Sequence, residues 1–111
     1  MNLDDLLENA GKAEEFLKAL ANRHRLMILC ELLRGESSVT ALNQHLPLSQ
    51  SALSQHLARL RADNLVTTRR DSQTIFYQIA RSDVERVIRL LCEIYGGSVC
   101  APDIKENCND H

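Results

Sequence analysis

Apolar residues recur at helical spacing in five stretches of this chain, and β-branched and aromatic residues crowd into two more. Leu3, Leu6, Leu7, Ala10, Ala13, Leu17 and Leu20, with Phe16 alongside, repeat every three or four positions and predict a long first helix. Leu26-Met27-Ile28-Leu29-Cys30-Glu31-Leu32-Leu33 predicts an apolar helix inside the domain. Val39, Leu42 and Leu46 predict a short helix over roughly 38–46. Pro47 closes it, because proline cannot continue the hydrogen-bond ladder and disfavours helical geometry in the residue before it. Ser49 suits the N-cap of the next helix. Leu65–Arg70 and Thr74–Ile79 predict the strands of a β-hairpin around the turn-like Asp71-Ser72-Gln73. Ser82 and Glu85 form a capping-box signature ahead of Val84, Val87, Ile88, Leu91 and Ile94, a last helical stripe widened by Leu90 and Tyr95.

The stretch 49–60 carries the most chemistry. Leu53, Leu57 and Leu60 recur at i, i+4, i+7 and predict a buried stripe. Gln50, Ser51, Ser54, Gln55 and Arg59 fill the opposite face, and His56 lies among them, able to reach a phosphate or to pack. Such a face suits the floor of a DNA major groove, where glutamine, serine and arginine meet base edges and phosphates. It also fits an ordinary amphipathic surface helix. The flanks favour the groove: two short helices joined by a turn make a helix-turn-helix. A basic hairpin directly after it is a wing, with Arg69 and Arg70 placed to meet phosphate.

The formal charge of −2 argues against a DNA binder only until it is resolved along the chain. Residues 1–20 carry two lysines against five carboxylates. Residues 49–81 carry Arg59, Arg61, Arg69, Arg70 and Arg81 against only Asp63 and Asp71. Positive charge thus concentrates where counterion release requires it.

At 111 residues and 44% hydrophobic, the chain is expected to form one domain over 1–97, mainly α with a small β wing, followed by a polar tail over 98–111 beyond Gly96-Gly97. No apolar run approaches the roughly 20 residues that span a bilayer. The acidic Met-Asn-Leu-Asp-Asp start is unlike a signal peptide, so no membrane partner and a cytoplasmic location are expected. There cysteines are normally reduced. No nucleophile–base pair or phosphate-binding glycine loop is visible, and an enzyme is not expected. The first and last apolar stripes exceed what so small an interior absorbs. They predict a homodimer with two recognition helices on a pseudo-palindromic operator, the alternative being that both helices cover their own core.

Leu-Ser-Gln-Ser-Ala-Leu-Ser-Gln-His-Leu over 48–57, followed by a hairpin ending in Ile75-Phe76-Tyr77, resembles the ArsR/SmtB family of winged-helix repressors. The resemblance runs from about residue 15 to 95 and is densest over 37–79. It implies a homodimeric winged helix that leaves double-stranded operator DNA when an inducer binds. The inducer sites of the family are mostly missing. The arsenic-type Glu-Leu-Cys-Val-Cys-Asp-Leu reads Glu36-Ser37-Ser38-Val39-Thr40-Ala41-Leu42, without its thiolates. The Asp-x-His pair of zinc and nickel sensors is absent from the last helix, as are the recognition-helix cysteines of the lead and cadmium type. One branch responds to reactive sulfur by bridging a cysteine of the second helix to one after a tyrosine at the end of the last. Cys30 matches the first position, but Tyr95 is followed by Gly96.

Four cysteines stay in play: Cys30, Cys92, and in the tail Cys100 and Cys108. None has C-x-x-C spacing, so a zinc knuckle or a thioredoxin-like motif has no support. Cys30 or Cys92 alone also fits a packed small hydrophobe. Together, Cys30, Cys92 and Cys100, with Cys108 as a possible helper, offer three thiolates of the kind that soft As(III) or Sb(III) prefers. A metalloid inducer is therefore the first expectation, with no permanently bound cofactor. Disulfide or polysulfide bridging of Cys30 with Cys92 or Cys100 is the second. A thiol-based metalloid buffer without a DNA role is the alternative of another class, and the basic segment 59–81 speaks against it. His24, His45 and His111 have no ligand partners in sequence and are assigned to no metal.

Overall fold

The computed structural model describes residues 2–95 as α1 (Leu3–Leu20), α2 (Arg23–Leu32), β1 (Ser37–Ser38), α3 (Val39–His45), α4 (Gln50–Ala62), β2 (Val66–Asp71), β3 (Thr74–Ile79) and α5 (Ser82–Tyr95). Cys100, Cys108 and the boundary between domain and tail lie outside the described residues. The predicted elements are present in the predicted order.

α3 and α4 form the helix-turn-helix. Ser38 and Ser49 are N-caps: their Oγ atoms accept from the N–H of Ala41 and of Ala52, both at 3.1 Å. The turn around Pro47 is tied back to α3, since Asn43 Nδ2 donates to the Leu48 carbonyl at 2.6 Å. At its far end α4 closes with a left-handed Asn64, φ 63°. The Leu65 N–H reaches the Leu60 carbonyl at 2.9 Å and the Asn64 N–H reaches that of Arg61 at 3.0 Å. These two bonds satisfy carbonyls the helix would otherwise leave open and turn the chain into β2.

β2 and β3 pair antiparallel from Val66↔Ile79 to Asp71↔Thr74. The loop is therefore Ser72-Gln73, one residue tighter than expected, and Ser72 takes φ 59°. A third strand was not legible. β1 is two residues long, too short to show any alternation, yet it pairs Ser37↔Tyr77 and Ser38↔Phe76 and gives the sheet the order β1-β3-β2. Gly35 precedes it at φ 135°, a backbone region that L side chains rarely adopt.

Leu53, Leu57 and Leu60 are fully buried and sit in one cluster with Ile28, Leu29, Leu42, Leu65, Val84 and Ile88. Each such side chain contributes about 1.5–3 kcal/mol by leaving water. The outer helices divide differently than their stripes suggest. α1 buries only Ala19 and Leu20 at its last turn, leaving Leu3, Leu6, Leu7 and Leu17 exposed. α5 buries Val84, Ile88 and Cys92 but exposes Leu90, Ile94 and Tyr95. The capping exchange expected of Ser82 and Glu85 is not made. α5 starts with the Glu85 N–H on the Arg81 carbonyl at 3.2 Å, and Asp83 holds the Arg81 guanidinium. No described helix is long and apolar enough to cross a membrane.

Candidate functional site

The leucine stripe of α4 faces the core, so its polar side is left to solvent: Gln50, Ser51, Ser54, Gln55 and Arg59 are all exposed. Ser49 Oγ lies 3.3 Å from Ser51 Oγ, which fixes the hydroxyls at the first turn. Arg59 is engaged within its own helix, its Nε donating to Asp63 at 2.8 Å. That pair is exposed and one turn apart, a geometry worth only tenths of a kcal/mol, so a phosphate can compete for the arginine.

His56 departs from the rest of this face. It is half-buried, with its ring centroid 5.6 Å from that of His24 on α2. Burial first, then the nearby charges of Arg25 and His24, push its pKa below the ordinary histidine value. A neutral imidazole packed toward α2 makes His56 a helix–helix contact, and the other polar residues of α4 form the open surface.

The two wing arginines part company. Strand alternation sends neighbouring side chains to opposite faces, and register partners share a face. Arg70, paired with Ile75, lies on the face of Val66, Tyr77 and Ile79, the residues that join β2 and β3 to the core. It is exposed and has no hydrogen bond or ion pair among the described residues. Arg69, paired with Phe76, lies on the other face. Its guanidinium carbon sits 4.8 Å from the Phe76 ring centroid, and Nε donates to Glu36 at 3.1 Å while Nη2 donates to the second carboxylate oxygen. Glu36 is accordingly held below the usual carboxylate range by that hydrogen bond, and Arg69 is pushed above its own. Sequence reading gave Glu36 and Phe76 no role. The partners stand 33 positions apart, and no local pattern announces such a pair.

The two described thiols lie in the core, Cys30 on α2 and Cys92 on α5. Cys30 is buried and free, and its pKa is pushed up to about 11, by burial first and then by the charge of neighbouring Glu31. Cys92 on α5 is buried in the same cluster and is disulfide-bonded, so Cys30 and Cys92 are not bridged to one another. α2 packs against both α5 and α4, so one element touches the thiol-bearing helix and the polar helix alike. Among the described residues no group of three histidines, cysteines or carboxylates gathers as a metal site. The expected third thiolate, Cys100, is outside those residues.

Comparison with known proteins agrees with this geometry. The family described as "Bacterial regulatory protein, arsR family" matches residues 22–68, from the start of α2 into β2. The transcriptional activator HlyU of Vibrio cholerae is 53% identical over 95 residues, covering 86% of this chain and 88% of that one. A biofilm growth-associated repressor of Xylella fastidiosa is 35% identical, covering 86% and 83%. The solved structure of reduced HlyU from Vibrio cholerae superposes with a TM-score of 0.80 at 52% identity, over 84% of this chain and 98% of that one.

Proposed function

The chain belongs to the ArsR family of DNA-binding transcriptional regulators, and from that premise we propose that it is a thiol-responsive repressor bound as a homodimer to a pseudo-palindromic operator. The single observation that carries the DNA reading is the exposed polar face of α4 above a fully buried leucine stripe. In this reading Gln50, Ser51, Ser54 and Gln55 meet base edges, and Arg59 and the wing meet phosphate. Relatives named as transcriptional regulators accord with a role outside catalysis.

The dimer is supported by the outer helices. α1 runs for 18 residues, yet only its last turn is buried. In proteins most helical stability comes from packing of an apolar face rather than from intrinsic propensity. A second copy covering Leu3, Leu6, Leu7 and Leu17, together with Leu90 and Ile94 of α5, supplies that packing. It also sets two α4 helices on one operator.

Two effector chemistries fit the thiols. The cysteine count favours As(III) or Sb(III) held by Cys30, Cys92 and Cys100 thiolates. The disulfide at Cys92 supports reactive sulfur, since metalloid ligation needs Cys92 as a thiolate. With a pKa of about 11, Cys30 is ionised in only about one molecule in ten thousand at pH 7, a poor start for a ligand or a first nucleophile. The raised pKa weighs on both chemistries alike, and on the Cys92 disulfide we place reactive sulfur first. An organic trisulfide would take two electrons and two protons from a pair of thiols, which close a disulfide, and would leave as a thiol and a persulfide. Strain at the α2–α5 contact would reach α4 through α2.

A band-shift assay on the DNA upstream of the coding sequence tests both parts. Reduced protein is expected to retard it, and an organic trisulfide to release it, with intact mass showing two hydrogens lost or sulfur gained across two cysteines. Release with a retained arsenic or antimony atom would assign the metalloid instead. No retardation by the reduced protein would overturn the DNA reading.

A further inference from the structure

The sheet order β1-β3-β2 sets the residue ahead of β1 and a residue of β2 on either side of the middle strand. Ser38 and Arg69 are both register partners of Phe76, so they share its face. Glu36 stands two positions before Ser38, and extended backbone returns it to that same face. Glu36, just ahead of β1, Phe76 on β3 and Arg69 on β2 thus line up on one face of the sheet. The guanidinium lies over the ring and reaches past it to both oxygens of the carboxylate. Asp71, two residues along β2 and on the same face, adds a second carboxylate 3.9 Å from Arg69 Nη1. Gly35, in a conformation that suits glycine, sets the approach of Glu36 to the row.

Arg69 is therefore surrounded by two carboxylates, and its charge is cancelled locally. Arg70, on the face that the wing shares with the core, has no carboxylate partner among the described residues. The two adjacent arginines look alike in sequence and are electrostatically opposite in the fold.

We propose that Glu36, Phe76 and Arg69 are a positioning latch that fixes the wing against the loop before α3, and that Arg70 is the arginine of this pair that neutralises a DNA phosphate. This rests on the DNA-binding reading above and divides the labour within it. A bidentate, ring-stacked guanidinium is geometrically restrictive, which is what a hinge between two segments needs. The latch joins the wing to the N-terminal side of the helix-turn-helix, so it sets where Arg70 stands relative to the exposed face of α4.

The two roles separate by salt dependence. Each phosphate neutralised contributes about −0.9 to the slope of log affinity against log salt. Arg70→Gln should therefore weaken operator binding and flatten that slope by about 0.9 for each wing engaged. Arg69→Gln should weaken binding about two- to fivefold, the worth of an exposed ion pair, with the slope unchanged. Glu36→Gln should weaken it similarly, even though it removes a negative charge from a protein that binds a polyanion. The double variant Glu36→Gln with Arg69→Gln should bind no worse than either single one, since both break the same contact. A flattened slope for Arg69→Gln, or tighter binding with a steeper slope for Glu36→Gln, would overturn the latch and return Arg69 to the phosphates. The DNA-free protein supplies an independent check by nitrogen-15 NMR. The Arg69 Nε–H should exchange slowly with water in the wild type and quickly in Glu36→Gln. Fast exchange in the wild type would also overturn the latch. Failure of the wild type to bind DNA in a salt-dependent way would instead overturn the functional reading and leave the NMR measurement to decide the latch.

Discussion

α4 and α5 turn the same kind of face inward and opposite kinds outward. Leu53, Leu57 and Leu60 on α4 and Val84, Ile88 and Cys92 on α5 are all buried in one cluster. Outward, α4 shows glutamines, serines and an arginine, whereas α5 shows Leu90, Ile94 and Tyr95, the last 79% exposed, beside charged residues such as Arg86, Arg89 and Glu93. The inner faces explain why both helices exist and where they sit. They say nothing about what each is for. A polar exposed face is stable in water as it stands and is available to a polar, charged partner. An apolar one of this extent asks for an apolar partner, since contiguous exposed hydrophobic patches on small proteins mark interaction sites.

If the inner faces are equivalent, removing a central side chain from either should damage folding to the same degree. Leu57→Ala and Ile88→Ala are each expected to lower unfolding stability by roughly 2–5 kcal/mol, because both residues are 0% exposed and leave a cavity. Urea denaturation at equal protein concentration checks this. A tolerated substitution on one helix alone would break the equivalence.

The outer faces should then respond in different currencies. Ile94→Glu places a charge on the surface assigned to the second copy, where burying it unpaired costs several kcal/mol. Sedimentation is expected to show a folded monomer at concentrations where the wild type is dimeric, with operator affinity falling as the half-sites come apart. A variant that stays dimeric would remove α5 from the interface. On α4, Ser54→Ala or Gln55→Ala should leave folding and association alone. Each should lower discrimination against the wrong base by about 1–3 kcal/mol for a well-made contact, read by competition among operator variants. Unchanged discrimination in both would take base readout away from this helix.

The smallest and sharpest effect concerns the thiol beneath both faces. Burial favours the uncharged form of Cys30, so its pKa rises from the ordinary 9.0 to about 11 and the folded protein holds that proton more tightly than the unfolded chain. Stability from this group is complete below about pH 9 and declines as the pH rises from 9 toward 11. In the reduced, folded protein the alkylation rate of Cys30 should climb about tenfold per pH unit from 7 to 10, with no plateau near 9. A plateau at neutral pH would mean an activated thiolate and would restore Cys30 as the first nucleophile or ligand.

The order of helices, the turn at Pro47, the hairpin and the buried stripe of α4 were all legible in the chain. Each depends on residues within a few positions of one another: spacing at 3.6 per turn, a proline without an N–H, a serine at a cap. Faces follow from spacing, so Gln50, Ser51, Ser54, Gln55 and Arg59 were correctly read as one surface. The same periodicity marked seven positions on α1 and could not tell which of them meet their own core. Burial of Leu20 and exposure of Leu3 are decided by where the other helices lie. β1, two residues long, has no periodicity to read and exists only because β3 offers an edge.

The division between Arg69 and Arg70 shows the same limit at the level of charge. In sequence they are two adjacent cations. Strand alternation alone places them on opposite faces, but which face meets Glu36 depends on a sheet order that brings residue 36 beside residue 69. Sequence by itself determined the local geometry and the inventory of charges. Only the tertiary structure decided which charges are already neutralised, because an ion pair depends on distance in space and the chain records only distance along itself.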